Sequence, residues 1–140
     1  MKDKIQKLEI FQKSFNSTFN EKPTLLAIKD FTLRYNLMKE ENEEYLEACQ
    51  DGNMIEVADA LGDQLFVLLG TIVSHGMQNI IGDVFNEITA SNMSKLDENG
   101  NPIINGQNGV FEEDKPVGKV LKSPNYWKPN LQRIFENHNV

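Results

Sequence analysis

Apolar positions that recur every three or four places organise the first 96 residues. Ile5, Leu8, Phe11 and Phe15 predict a short amphipathic helix over about 3–17. The polar stretch 16–22 ends in Lys22-Pro23, which suits a loop entering a helix. From 24 to 50 no proline or glycine interrupts, and Leu25, Ile28, Phe31, Leu33, Leu37, Tyr45 and Leu46 keep the helical spacing. Asp51-Gly52 closes this second helix, and Asn53 caps a third over 54–75 with Gly76 as its stop. Asn79 is placed to cap a fourth over 80–95. The third helix is apolar nearly all round from Leu61 onward, which predicts burial.

After Leu96 the periodicity ends. Asp97–Gly109 holds three Gly, one Pro and four Asn, which is turn chemistry. Residues 110–129 include Pro116, Pro124 and Pro129 and read as an extended, ordered tail before a last short helix over 130–137. The expected fold is all-α: an antiparallel helical bundle with a long irregular C-terminal tail. It is read as one domain over 1–140, with a helical core at about 3–96 and the tail at about 97–140.

Charge adds a second division. The net charge of −7 combines −11 over residues 40–94, which hold no Lys or Arg, with +4 over the rest. Such an acidic middle repels a nucleic-acid backbone, so a polymer partner is not expected, and it attracts divalent cations. Cys49 is the only cysteine and only His75 and His138 are histidines, which excludes disulfides and Cys- or His-rich metal sites. A lone thiol fits a reducing, cytoplasmic setting, and Cys49 reads as a small buried apolar residue. The longest wholly apolar stretch, Leu65–Val73, is too short for a membrane span, and the N-terminus has no apolar signal core.

A helical wheel gives the acids positions. At about 100° per residue, Glu41 and Glu44 fall within the apolar stripe of Leu37, Tyr45 and Ala48, while Glu43 and Glu47 face away. On the next helix Glu56, Asp59 and Asp63 share a side with Ala60, Phe66, Val67 and Gly70. Burying unpaired carboxylates is costly, so they pair or bind metal. Arg34, Lys39 and Lys95 flank the block but are too few to neutralise it. Converging carboxylates on two antiparallel helices suit hard ions such as Mg²⁺ or Mn²⁺.

The pattern E-x-x-E (Glu41, Glu44) followed by E-x-x-D (Glu56, Asp59) sits in KEENEEYLEA and EVADALGDQLFVLLG. It resembles the MazG-like all-α nucleoside triphosphate pyrophosphohydrolases, in the branch related to phosphoribosyl-ATP pyrophosphohydrolase. FQKSFN at 11–16, SNMSKL at 91–96, DENGNPI at 97–103 and GKVLKSPNYWKP at 118–129 are similar to segments of that branch. Residues 104–117 are longer than its usual tail, and Ser123 stands where glycine is common.

The resemblance implies cleavage of a nucleotide's α–β phosphate linkage to a nucleoside monophosphate and pyrophosphate. It implies Mg²⁺ held by Glu41, Glu44, Glu56 and Asp59, and a homodimer or dimer of dimers that completes the bundle. Glu40 and Asp63 are then candidates to orient or deprotonate the attacking water. Asn92, Lys95, Lys119 and Lys122 are candidate phosphate contacts, and Phe15 and Tyr126 candidate base contacts. Tyr126-Trp127 equally suits pinning the tail, and Arg34 suits support of the acids or a phosphate. Nucleotide-pool sanitation is the first expectation. Phosphoribosyl-ATP cleavage in histidine biosynthesis is the second, and a non-catalytic nucleotide- or metal-binding helical module the third.

Overall fold

A computed structural model describes all residues, 1–140. It contains five helices: α1 (Lys2–Ser14), α2 (Ile28–Gln50), α3 (Met54–Ser74), α4 (Ile81–Met93) and α5 (Leu131–Asn137). There are no strands, only the isolated bridges Ile104–Val120 and Gln107–Val110. The fold is all-α, as the periodicity predicts. The chain divides into two compact units, 1–81 with Val140, and 82–139. The division falls ahead of α4, not at residue 97 where the composition changes.

In the first unit α3 is central and packs against both α1 and α2. Ile5, Leu8, Leu69 and Val73 form the core, with Phe19, Ile72 and Ile81 against it. The buried side of α1 is Ile5, Leu8 and Gln12, whereas Phe11 and Phe15 stay exposed. The stripe is thus turned from the expected one, because Gln12 is spent on α3. Its amide nitrogen donates to Gly70 O at 2.8 Å and to Ser74 Oγ at 3.1 Å.

α2 begins at Ile28, four residues later than its apolar spacing predicts. The preceding segment is strapped across the end of α3 instead. Asn20 Nδ2 donates to Ser74 O (2.6 Å), Thr24 N to His75 O (2.9 Å), and His75 Nδ1 to Thr24 O (2.9 Å). Gly76 makes this close approach possible: it has φ +71°, and a Cβ there would lie 2.0 Å from Lys22 O. Asn53 caps α3 as expected, its side chain accepting from Ile55 N and Glu56 N. The turn before α4 closes through the backbone, with Ile80 and Ile81 N–H donating to Met77 O, and not through Asn79.

α3 passes the length and composition test for a membrane span, at mean hydropathy 1.4, yet it is the helix that α1 and α2 enclose. Its expected all-round burial does not hold. Leu61, Leu65 and Leu68 are nearly half exposed, as are Tyr45 and Leu46 on α2 or more so. Three helices cover one side of α3 and leave the other bare. Cys49 is also exposed rather than buried.

The second unit is held mainly by polar side chains. Asn105 is fully buried, and its amide donates to the carbonyls of Glu112 (3.0 Å), Lys115 (2.7 Å) and Pro116 (3.3 Å). Its Oδ1 accepts from Glu112 N at 2.7 Å. Residues 104–117 are folded around this side chain. Ser123 is buried and donates to Leu96 O (2.7 Å), closing the end of α4 with a group glycine lacks. α5 is capped by Asn130 and tied to α4 by Arg133–Glu87 (3.2 Å) and His138–Asp83 (2.8 Å).

Candidate active site

α2 and α3 run antiparallel, since Arg34 meets Val67 and Thr71 while Glu41 O accepts from Gln64 Nε2 (3.2 Å). This direction sets the acids of each helix opposite those of the other. A groove of about 390 Å³ is lined by Glu44, Glu47, Asp51, Asn53, Glu56 and Asp59 on a floor of Ala48 and Ala60. Ala48 and Ala60 are both buried, and their small side chains let the acidic turns approach. Three expected ligands, Glu44, Glu56 and Asp59, therefore share one groove. Glu47, read from the wheel as facing away, lines it too; its spacing of one turn from Glu44 was the available signal.

Glu41 lies beside the groove and differs from the other acids. It is half-buried, and its Oε2 is enclosed with no hydrogen-bond donor. Burial raises its pKa above the ordinary value, and the charges of Asp63, Glu44, Glu40 and Asp59 raise it further. Asp63 acts most strongly among these carboxylates, so it belongs with the cluster. The burial expected of the acid stripe holds for Glu41 alone: Glu40, Glu44, Glu56, Asp59 and Asp63 are exposed, because no further element covers them in the protomer.

No ion pair neutralises these acids; Lys39 pairs outward with Glu43 at 3.6 Å. In these side-chain positions no three His, Cys, Asp or Glu residues close to metal-coordinating distance. Mutual repulsion favours such splayed conformations among exposed carboxylates. The donor chemistry fits a hard divalent cation: all ligands are anionic oxygens, and Glu41 contributes a buried acceptor without a partner.

Arg34 does not support the acids. Nε donates to Thr71 Oγ1 (3.0 Å) and a terminal nitrogen to Val67 O (2.7 Å), with no carboxylate paired to it. Burial lowers its pKa from the ordinary guanidinium value. Phe15 follows α1, is 68% exposed, and stacks at 4.5 Å on Phe11, which meets Phe66 edge-on at 5.0 Å.

The remaining candidates lie in the second unit. Asn92 is exposed on α4, and Lys95 is half-buried in the turn that follows. Lys119 and Lys122 are exposed on the tail, and Lys122 Nζ covers the Tyr126 ring at 4.5 Å. The tail is pinned through the Trp127 backbone: its N–H donates to Ser94 Oγ (3.1 Å) and its carbonyl accepts from Ser91 Oγ (2.8 Å).

Carboxylates carried on two successive antiparallel helices of an all-α chain define the class of the all-α nucleotide pyrophosphohydrolases. The chain matches the family model described as phosphoribosyl-ATP pyrophosphohydrolase over residues 8–92, more than half its length, and it belongs to that family. No curated protein matches it. Membership makes the chain a pyrophosphohydrolase acting on a nucleotide-related substrate, in a family that typically depends on divalent metal. The matched span runs from α1 almost to the end of α4, so it includes every acid of the groove.

Proposed function

We propose that the protein hydrolyses nucleoside triphosphates at the α–β linkage, releasing a nucleoside monophosphate and pyrophosphate. The observation that carries this reading is the un-neutralised acid groove between α2 and α3, with the orphaned Glu41 oxygen beside it. Glu41, Glu44, Glu56 and Asp59 would hold Mg²⁺ or Mn²⁺. A divalent cation supplies charge neutralisation on the phosphates and a more acidic water. Asp63, the strongest carboxylate neighbour of Glu41, is the better placed of the two candidates to take a proton from the attacking water. Glu40 is the other, one residue before Glu41 on α2. Lys95, Lys119, Lys122 and Asn92 remain candidate phosphate contacts.

A second copy of the chain suits the bare side of α2 and α3. Tyr35, Met38, Asn42, Gln64 and Leu68 line a cleft of about 560 Å³ there, next to the half-exposed Leu61 and Leu65. Contiguous apolar area of this kind marks an interface. Phosphoribosyl-ATP is the second substrate reading, favoured by the description of the matching family.

A panel of nucleoside triphosphates and phosphoribosyl-ATP, assayed with Mg²⁺ for pyrophosphate and orthophosphate, tests both readings. Pyrophosphate from one or more triphosphates, reduced at least about 100-fold in folded Glu44→Ala and Asp59→Ala proteins, is expected. Turnover of phosphoribosyl-ATP alone selects the second reading, and orthophosphate alone rejects both.

A further inference from the structure

One face of α3 carries three chemistries in order. Asp59 and Asp63 lie at one end, Phe66 follows, and Gly70 and Ser74 complete the row at helical spacing. From Asp63, Phe66 is about 5 Å and Gly70 about 10 Å along the axis. Across from the acids stands Glu41 of α2. Phe11 of α1 meets Phe66, while Arg34 of α2 and Gln12 of α1 converge on Gly70. The order is acids, aromatic rings, then a guanidinium and an amide.

The far end is chemically unfinished. Arg34 donates to Val67 O and Thr71 Oγ1, and its other N–H groups have no partner. Gln12 is 2% exposed, its nitrogen donates twice, and its Oε1 is buried without a donor. The amide cannot turn over to cure this, because Gly70 O accepts only from the nitrogen. Both groups converge at one place: a Cβ on residue 70 would lie 2.8 Å from an Arg34 nitrogen and 3.4 Å from Gln12 Nε2. Glycine here leaves the guanidinium its seat. Buried polar groups are normally satisfied, so spare donors beside a spare acceptor point to a ligand carrying the complement.

We propose that Arg34 and Gln12 read the edge of the substrate's base and select keto bases, in which a carbonyl adjoins a ring N–H. Uracil, thymine, guanine and hypoxanthine carry that edge. The carbonyl accepts from Arg34, and the N–H donates to Gln12 Oε1. Cytosine and adenine present an amino donor toward Arg34, which has only donors to offer. The base rests against Phe11 and Phe66, which are 38% and 40% exposed, with its phosphates toward the acids. This assignment rests on the acid groove being the phosphate end. It also disfavours phosphoribosyl-ATP, whose base is an adenine.

dUTP and dCTP form the cleanest test pair, since they differ only along this edge. With Mg²⁺ the wild-type kcat/KM for dUTP is expected to exceed that for dCTP roughly 10- to 100-fold. Arg34→Met should collapse the ratio to within about threefold of one, with the loss for dUTP carried mainly by KM. Gly70→Ala, which keeps Arg34 but intrudes on its seat, should lower the ratio as well. A merely structural Arg34 would affect both substrates alike, so the ratio separates reading from folding. A wild-type ratio near one, or a ratio that survives Arg34→Met, overturns the proposal and leaves the pyrophosphohydrolase reading standing. If no triphosphate is turned over, that reading fails by itself, and calorimetric titration with dUMP and dCMP decides base reading. A dUMP preference lost in Arg34→Met supports it; equal or absent binding overturns it.

Discussion

The two units of this chain are built on different physics. Residues 1–81 are ordered by apolar burial, with Ile5, Leu8, Leu69 and Val73 as the core, and their polar groups are left under-satisfied at Glu41, Gln12 and Arg34. Residues 82–139 are ordered by side chains that satisfy the backbone one bond at a time, through Asn105, Ser123, Ser91 and Glu87. The unit with the thorough polar bookkeeping reads as support. The unit with orphaned acceptors and un-neutralised charge reads as the site, because such groups are retained where a ligand completes them.

The largest expected effect of breaking this contrast is at Asn105. Asn105→Ala removes four hydrogen bonds and leaves the carbonyls of Glu112, Lys115 and Pro116 without their shared donor. Each buried group stranded in this way costs about 1–3 kcal/mol, so a loss of at least about 3 kcal/mol is expected in this unit. Amide exchange across 104–120 should rise sharply while α1–α3 keep their protection. Equal loosening of α3 would show that the two units do not differ in what holds them.

A smaller effect is expected at Ser123. Its hydroxyl donates to Leu96 O at 2.7 Å and accepts from Asn125 N at 3.1 Å. Ser123→Gly, the residue common at this place in the branch the chain resembles, loses both bonds and adds backbone freedom, for about 1–2 kcal/mol. Faster exchange at Asn125 N–H is the local readout. No change there would mean that the hydroxyl contributes nothing to pinning the tail.

The same contrast governs what could be read in advance. Helix existence, the Asn53 cap and the Gly52 and Gly76 stops were legible because periodicity and capping are local. The convergence of Glu44, Glu56 and Asp59 was legible because two helices joined by a three-residue turn must run antiparallel. The strap over 20–26 was hidden: Leu25 and Ile28 keep a helical rhythm, yet the bonds that hold this segment go to Ser74 and His75, about fifty residues away. Gln12 was hidden because a polar residue at a core position gives no periodic signal. Asn105 looked like one turn-former among four, and only its tertiary partners distinguish it.

The smallest effect sharpens the contrast from the side of the site. Burial and the charges of Asp63, Glu44, Glu40 and Asp59 raise the Glu41 pKa above its ordinary value. The folded chain therefore binds this proton more tightly than the unfolded chain does. Between the ordinary carboxylate pKa and the raised native one, the folded state holds more protons, so stability falls as pH rises through that window. Glu41→Gln removes the charge that burial and its neighbours oppose. In EDTA at pH 7 the variant is expected to melt about 1–3 °C higher than wild type, and the difference should vanish below the ordinary carboxylate range. In Mg²⁺ the order should reverse, because wild type gains stability from an ion that binds only the folded state and the variant gains less. A variant that melts lower than wild type in EDTA at pH 7 would mean that the Glu41 carboxylate is favourably satisfied in the metal-free fold. Its orphaned oxygen would then no longer set the acid groove apart from the well-satisfied second unit.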